Sequence, residues 1–132
     1  MYQADLNHSN PTLEKKLQAL YALNRGEKNI DLAFRPPFMD LLKAFGNPQD
    51  HLPPTIHVAG TNGKGSTIAI LKSIYEAAGY SVHAYTSPHL IRFNERIVLN
   101  GKPIDDEPLE ALIDEAIRLN AERDITFFEI TT

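Results

Sequence analysis

The sequence predicts an α/β protein, a phosphate-loop-type parallel sheet with flanking helices. Three observations carry that prediction. An apolar run (Ile56, Val58, Ala59) leads straight into a glycine-rich turn, Gly60-Thr61-Asn62-Gly63-Lys64-Gly65-Ser66-Thr67. An apolar helix is expected over residues 64–78 and a second strand over residues 80–85. Strand, helix and strand in this length suit a right-handed βαβ unit with parallel strands.

The elements follow in order. Asn10 reads as a helix cap with Pro11 at the first helical position. Leu13, Leu17, Leu20 and Tyr21 then fall on one face, and Gly26 ends the helix or its following turn. Residues 30–37 are too short and too proline-bound for a helix. They read either as a linker or as a loop lining a pocket, since apolar residues stand beside a charge pair. Phe38, Leu41, Leu42 and Phe45 predict a short helix stopped by Gly46, with Pro48 behind it. The helix after the glycine-rich turn carries Ile68, Ile70, Leu71, Ile74 and Tyr75 on more than one face, so cover on both sides is expected. Asn100-Gly101 is a hairpin turn between residues 97–99 and 102–104. Asp105 or Asp106 caps a long helix with Leu109, Leu112, Ile113, Ala116 and Ile117 on one stripe, its opposite face solvated.

Composition narrows the function classes. With 42% apolar and 23% charged residues, the chain is globular rather than disordered. A net charge of -4 supplies no electrostatic reason to bind nucleic acid or an anionic membrane. Cysteine is absent, which excludes disulfides and cysteine metal sites. No apolar run is long enough to span a bilayer as a helix. The first ten residues are polar and do not resemble a signal peptide, so a cytoplasmic location is expected. The five histidines do not cluster at metal-ligand spacing; His89, beside Ser87, has the most favourable place.

The glycine-rich turn carries the chemistry. Glycines let backbone N–H groups come up to an anion, and the helix that starts there points its positive end at the same spot. Lys64 adds a full charge, and Ser66 and Thr67 offer hydroxyls to a phosphate or to Mg²⁺. The pattern departs from G-x-x-x-x-G-K-[ST], because Val58 and Gly65 stand where Gly and Ser or Thr would be required. Ligands of such sheets sit beyond the carboxyl ends of the strands, so Thr86-Ser87-Pro88-His89 is expected beside the loop. Ser87 reads either as a Mg²⁺ ligand or as an ordinary Ser-Pro turn.

Together, Gly60-Thr61-Asn62-Gly63-Lys64-Gly65-Ser66, Tyr85-Thr86-Ser87-Pro88-His89-Leu90, Arg92-Phe93-Asn94-Glu95-Arg96 and Thr126-Phe127-Phe128-Glu129 resemble the folylpolyglutamate synthase and bifunctional dihydrofolate synthase family, within the Mur ligase superfamily. The resemblance runs from about Leu17 to Thr132. It implies that Gly60, Thr61, Asn62, Gly63, Lys64, Gly65 and Ser66 bind ATP phosphates, with Lys64 the catalytic charge. Ser87, with Ser66, matches a Mg²⁺ site. Asp31, Leu32, Ala33 and Phe34 match one pterin-contacting stretch, and Thr126, Phe127, Phe128 and Glu129 match a second. The implied reaction joins L-glutamate to dihydropteroate or a folate through an acyl phosphate made with ATP. The resemblance further implies that residues 1–132 are the N-terminal part of the ATP-binding domain of a monomeric enzyme, with the C-terminal glutamate-ligase domain absent from this chain. The alternatives are a phosphate-loop phosphotransferase or a nucleotide-binding module without ligase activity.

Overall fold

The computed structural model describes residues 9–23 and 35–132. They fall into two compact units, one formed by Met1–Pro53 with Glu110–Thr132 and the other by Pro54–Leu109.

The first unit is helical. Helix α1 (Pro11–Ala22) starts as its sequence directs: the Asn10 side chain accepts from the N–H groups of Thr12 and Leu13, and Pro11 takes the first turn. Leu13, Leu17, Leu20 and Tyr21 are all buried. Helix α2 (Pro36–Ala44) buries Leu41 and ends at Gly46, whose φ of 78° is left-handed. Pro36 and Pro37 belong to this helix rather than to the preceding loop, because a first turn has no use for the N–H that proline lacks. Helix α4 (Asp106–Asn120) contributes buried Ile113 and Ala116. Two residues in the left-handed region, Ala121 and Glu122, follow it. The Arg123 guanidinium donates to the carbonyls of Leu119 (2.5 Å) and Asn120 (2.7 Å) at the helix end, and the Arg123 N–H also reaches the Asn120 carbonyl (3.0 Å). Helix α5 (Phe127–Thr131) closes the core: the Phe127 ring stacks on Tyr21 at 4.8 Å. Lys16 bridges Asp114 (2.8 Å) and Glu110 (3.1 Å) on successive turns of α4, and these bonds raise its ammonium above the usual lysine value.

The second unit holds helix α3 (Lys64–Ala77) and three short strands, β1 (Ala84–Tyr85), β2 (Ile97–Leu99) and β3 (Lys102–Pro103). The strands run in the order β1-β2-β3 and both pairings are antiparallel. The predicted hairpin turn is present, with φ of 50° at Asn100 and 81° at Gly101, as a type I′ turn requires.

The parallel pairing expected from the sequence does not form among the described residues. The run Ile56, Val58, Ala59 forms no strand, Ile56 is exposed, and residues 84–85 pair with β2 instead. Helix α3 has no buried residue; Ile70 and Ile74 are 61% and 58% exposed where cover on both sides was expected. The physical reason is that a buried parallel strand is specified by its neighbours as much as by its own apolar residues. The helix, held by bonds within itself, forms where predicted.

The core of the first unit makes a direct test. Leu17 is 1% exposed, and Leu17→Ala should remove about 2–5 kcal/mol of unfolding free energy. Urea denaturation followed by helical circular dichroism checks this, and a midpoint equal to the parent chain's would contradict the packing described.

Candidate active site

The glycine-rich turn is built from two left-handed backbone positions. Gly60 has φ 151° and Gly63 has φ 79°, and a side chain at either would be strained whatever room surrounds it. Gly63 is the N-cap of α3 and provides no side-chain acceptor, so the first-turn N–H groups are not capped from that position. The Lys64 side chain folds back over the turn and its Nζ donates to the carbonyls of Gly60 (2.6 Å) and Thr61 (3.2 Å). The cation therefore lies on the loop rather than out in solvent. Gly65 has ordinary helical geometry and open space around its Cα, so tight turning is not what this glycine supplies. The Thr67 hydroxyl donates back to the Gly63 carbonyl at 2.9 Å, whereas Ser66 is exposed on the first turn.

Ser87 is also exposed, on the turn that follows β1. The residues around it are fastened by a motif to which the sequence assigns no task. Phe93, Asn94 and Arg96 are buried, in a short 3-10 helix (Phe93–Arg96). Asn94 Nδ2 donates to the Ile104 carbonyl (2.8 Å) and to Asp106 (2.9 Å), and Arg92 bonds the same carboxylate at 2.6 Å. The Glu95 carboxylate accepts three backbone N–H groups, from Leu90 (2.8 Å), Ile91 (3.0 Å) and Arg92 (2.8 Å). Burial pushes the Glu95 carboxyl up, but these three donors outweigh it and hold the group below the usual carboxylate value. Arg96 Nε donates to His89 Nδ1 at 2.8 Å, and its guanidinium lies 5.2 Å from the Phe93 ring centre. A hint of this was available in sequence, as Glu95 lies three to five residues beyond the N–H groups it accepts.

The Thr126-Phe127-Phe128-Glu129 stretch is a helix start. The Thr126 hydroxyl accepts from Glu129 N–H (3.2 Å) and the Glu129 carboxylate from Thr126 N–H (2.8 Å), a reciprocal cap. The same carboxylate oxygen takes Arg35 Nη1 at 3.2 Å, while Arg35 Nη2 reaches Asp124 at 2.9 Å. Phe127 is buried in the core, and Phe128 is 55% exposed. Asp31, Leu32, Ala33 and Phe34 lie outside the described residues. A cavity of about 110 Å³ in the helical unit, lined by Ala19, Leu20, Leu23, Ile117, Asn120 and Ile130, contains none of the residues named for phosphate, metal or pterin. Among the described residues no group of three or more His, Cys, Asp or Glu could hold a metal, and no helix is long and apolar enough to cross a membrane.

No family model matches the chain. The dihydrofolate synthase/folylpolyglutamate synthase of Bacillus subtilis (strain 168) is 49% identical over 75 residues, 57% of this chain and 17% of that protein. The enzyme of the same description from Escherichia coli (strain K12) is 37% identical over 112 residues, 85% of this chain and 26% of the relative. Among solved structures, an FPGS–AMPPCP–folate complex superposes with a TM-score of 0.73 at 33% identity, covering 90% of this chain and 30% of the other. The chain thus spans less than a third of the length of these relatives. With a site built on a glycine-rich loop and a fold shared over nine-tenths of its residues, the chain belongs to the folylpolyglutamate synthase/dihydrofolate synthase family, an incomplete α/β unit of the Mur ligase type.

Proposed function

We propose that this chain is the N-terminal, ATP-binding part of a cytoplasmic ligase that joins L-glutamate to dihydropteroate or to a folate. The observation that carries the reading is the loop at residues 60–66, where left-handed glycines, a helix start and a folded-back lysine converge. A related structure holding AMPPCP, an ATP analogue, together with folate supports both substrate assignments. In the proposed reaction the substrate carboxylate attacks the γ-phosphorus of ATP, giving an acyl phosphate and ADP. The glutamate amine then attacks the acyl carbon, an amide forms and phosphate leaves. Gly60, Thr61, Asn62, Gly63, Lys64, Gly65 and Ser66 surround the phosphates, and Lys64 meets the charge that develops on the transferring group.

The residues suit Mg²⁺ by their chemistry. Hydroxyl oxygens are hard ligands, and Ser66 and Ser87 are both exposed. Lacking a carboxylate cluster among the described residues, they suit the ion as carried by ATP phosphates, where it neutralises charge on the transferring group. For the pterin, Phe128 offers the open ring face, since Phe127 is committed to Tyr21. Arg35 supports a shared pocket for the two pterin stretches: it follows Phe34 directly in sequence and is paired with Glu129.

Lys64→Ala in the full-length enzyme should lower turnover about 100- to 1000-fold while leaving the fold intact. The measurement is glutamate-dependent phosphate release from ATP, with and without dihydropteroate. Release that ignores both glutamate and pterin would instead favour a phosphotransferase, and no release at all a nucleotide-binding module without ligase activity. The 132-residue chain alone should bind ATP weakly and form no dihydrofolate over many turnovers, because alignment of both reactants contributes about 7–11 kcal/mol to such reactions. Mass spectrometry of the product mixture checks this.

A further inference from the structure

We propose that Glu95 is a positioning residue for Ser87, holding the turn that carries this hydroxyl where a Mg²⁺–ATP complex needs it. The inference rests on the reading of Ser87 as a metal ligand given above. Its basis is how the turn at residues 86–92 is fastened. On one side the Thr86 N–H donates to the Arg96 carbonyl (2.9 Å), and the Thr86 hydroxyl to the Glu95 carbonyl (3.4 Å). On the other, the Glu95 carboxylate gathers the N–H groups of Leu90, Ile91 and Arg92. Between them, His89 Nδ1 accepts from Arg96 Nε. Both flanks of Ser87 therefore end on the residue pair Glu95 and Arg96, which Phe93 and Asn94 anchor by burial.

Burial is not what shapes the flank at Leu90 and Ile91. Leu90 is 92% exposed and Ile91 76%, so their side chains add no packing to hold it. Three charge-assisted bonds to one carboxylate are the force that remains on that flank. A neutral hydroxyl is a weak ligand for Mg²⁺ and contributes only when its place is fixed beforehand. The Glu95 carboxylate takes up backbone N–H groups of the turn, so in this proposal it acts through the turn and not on the substrate.

The test is AMPPCP binding by calorimetry across a Mg²⁺ series, on the full-length enzyme and its Glu95→Ala, Ser87→Ala and doubly substituted forms. Amide hydrogen exchange at residues 90–92 reports the turn directly. Glu95→Ala should speed that exchange and raise the Mg²⁺ concentration for half-maximal binding roughly 10-fold. Ser87→Ala should also raise it, and adding Glu95→Ala to Ser87→Ala should bring no further rise. Faster exchange with an unchanged Mg²⁺ requirement overturns the inference, as do additive shifts in the double variant. A Ser87→Ala enzyme with an unchanged requirement overturns the metal reading of Ser87 itself, and the inference with it. If Glu95→Ala does not fold, Glu95→Gln serves: it keeps an acceptor for Ile91 and Arg92, sets an amide donor against Leu90 N–H, and should shift the requirement the same way by less. No shift with Glu95→Gln would equally overturn the proposal.

Discussion

A strand exists only where a second strand takes up its hydrogen bonds, and that constraint decides what the Pro54–Leu109 unit can build from its own residues. Ile56, Val58 and Ala59 carry the apolar character of a central strand, yet they form no strand. Ile70, Ile74 and Tyr75 on α3 remain exposed for the matching reason: a helix flanking a sheet has its apolar stripe ready, but burial requires the sheet. What does form is a helix, a type I′ hairpin that β1 joins, and the left-handed glycines of the glycine-rich loop.

The same constraint explains which features were legible in sequence. The Asn10–Pro11 helix start, the Leu13, Leu17, Leu20 and Tyr21 stripe, the stop at Gly46, the Asn100-Gly101 turn and the start of α3 at Lys64 were all readable. Each is decided within a few residues, by a cap, a period or a forced φ. The parallel pairing was not readable as it stands, because the apolar run encodes a demand for partners and says nothing about where they are. Pro36 and Pro37 were misplaced for a smaller reason: their ban from helix interiors does not extend to the first turn. In the site, the glycine-rich loop was legible because few other folds need two left-handed backbone positions, a lysine and a helix start in that order. The division of labour between Phe127 and Phe128 was not, since adjacent identical rings differ only in the face of α5 they occupy.

Charge was the hardest signal to interpret. A charged run suggests a solvated face or a substrate contact, yet each charge in Arg92-Phe93-Asn94-Glu95-Arg96 finds a partner within the protein. Glu95 accepts three N–H groups, Arg92 pairs with Asp106, and the buried Arg96 holds His89. Glu129 behaves alike, capping α5 and receiving Arg35. Carboxylates suit this use because one group can accept several donors at once and remain ionised at neutral pH. A turn held this way keeps a fixed shape without apolar cover, leaving its surface open to a ligand. Charged residues used in this way set the geometry of short, exposed turns that the core does not cover.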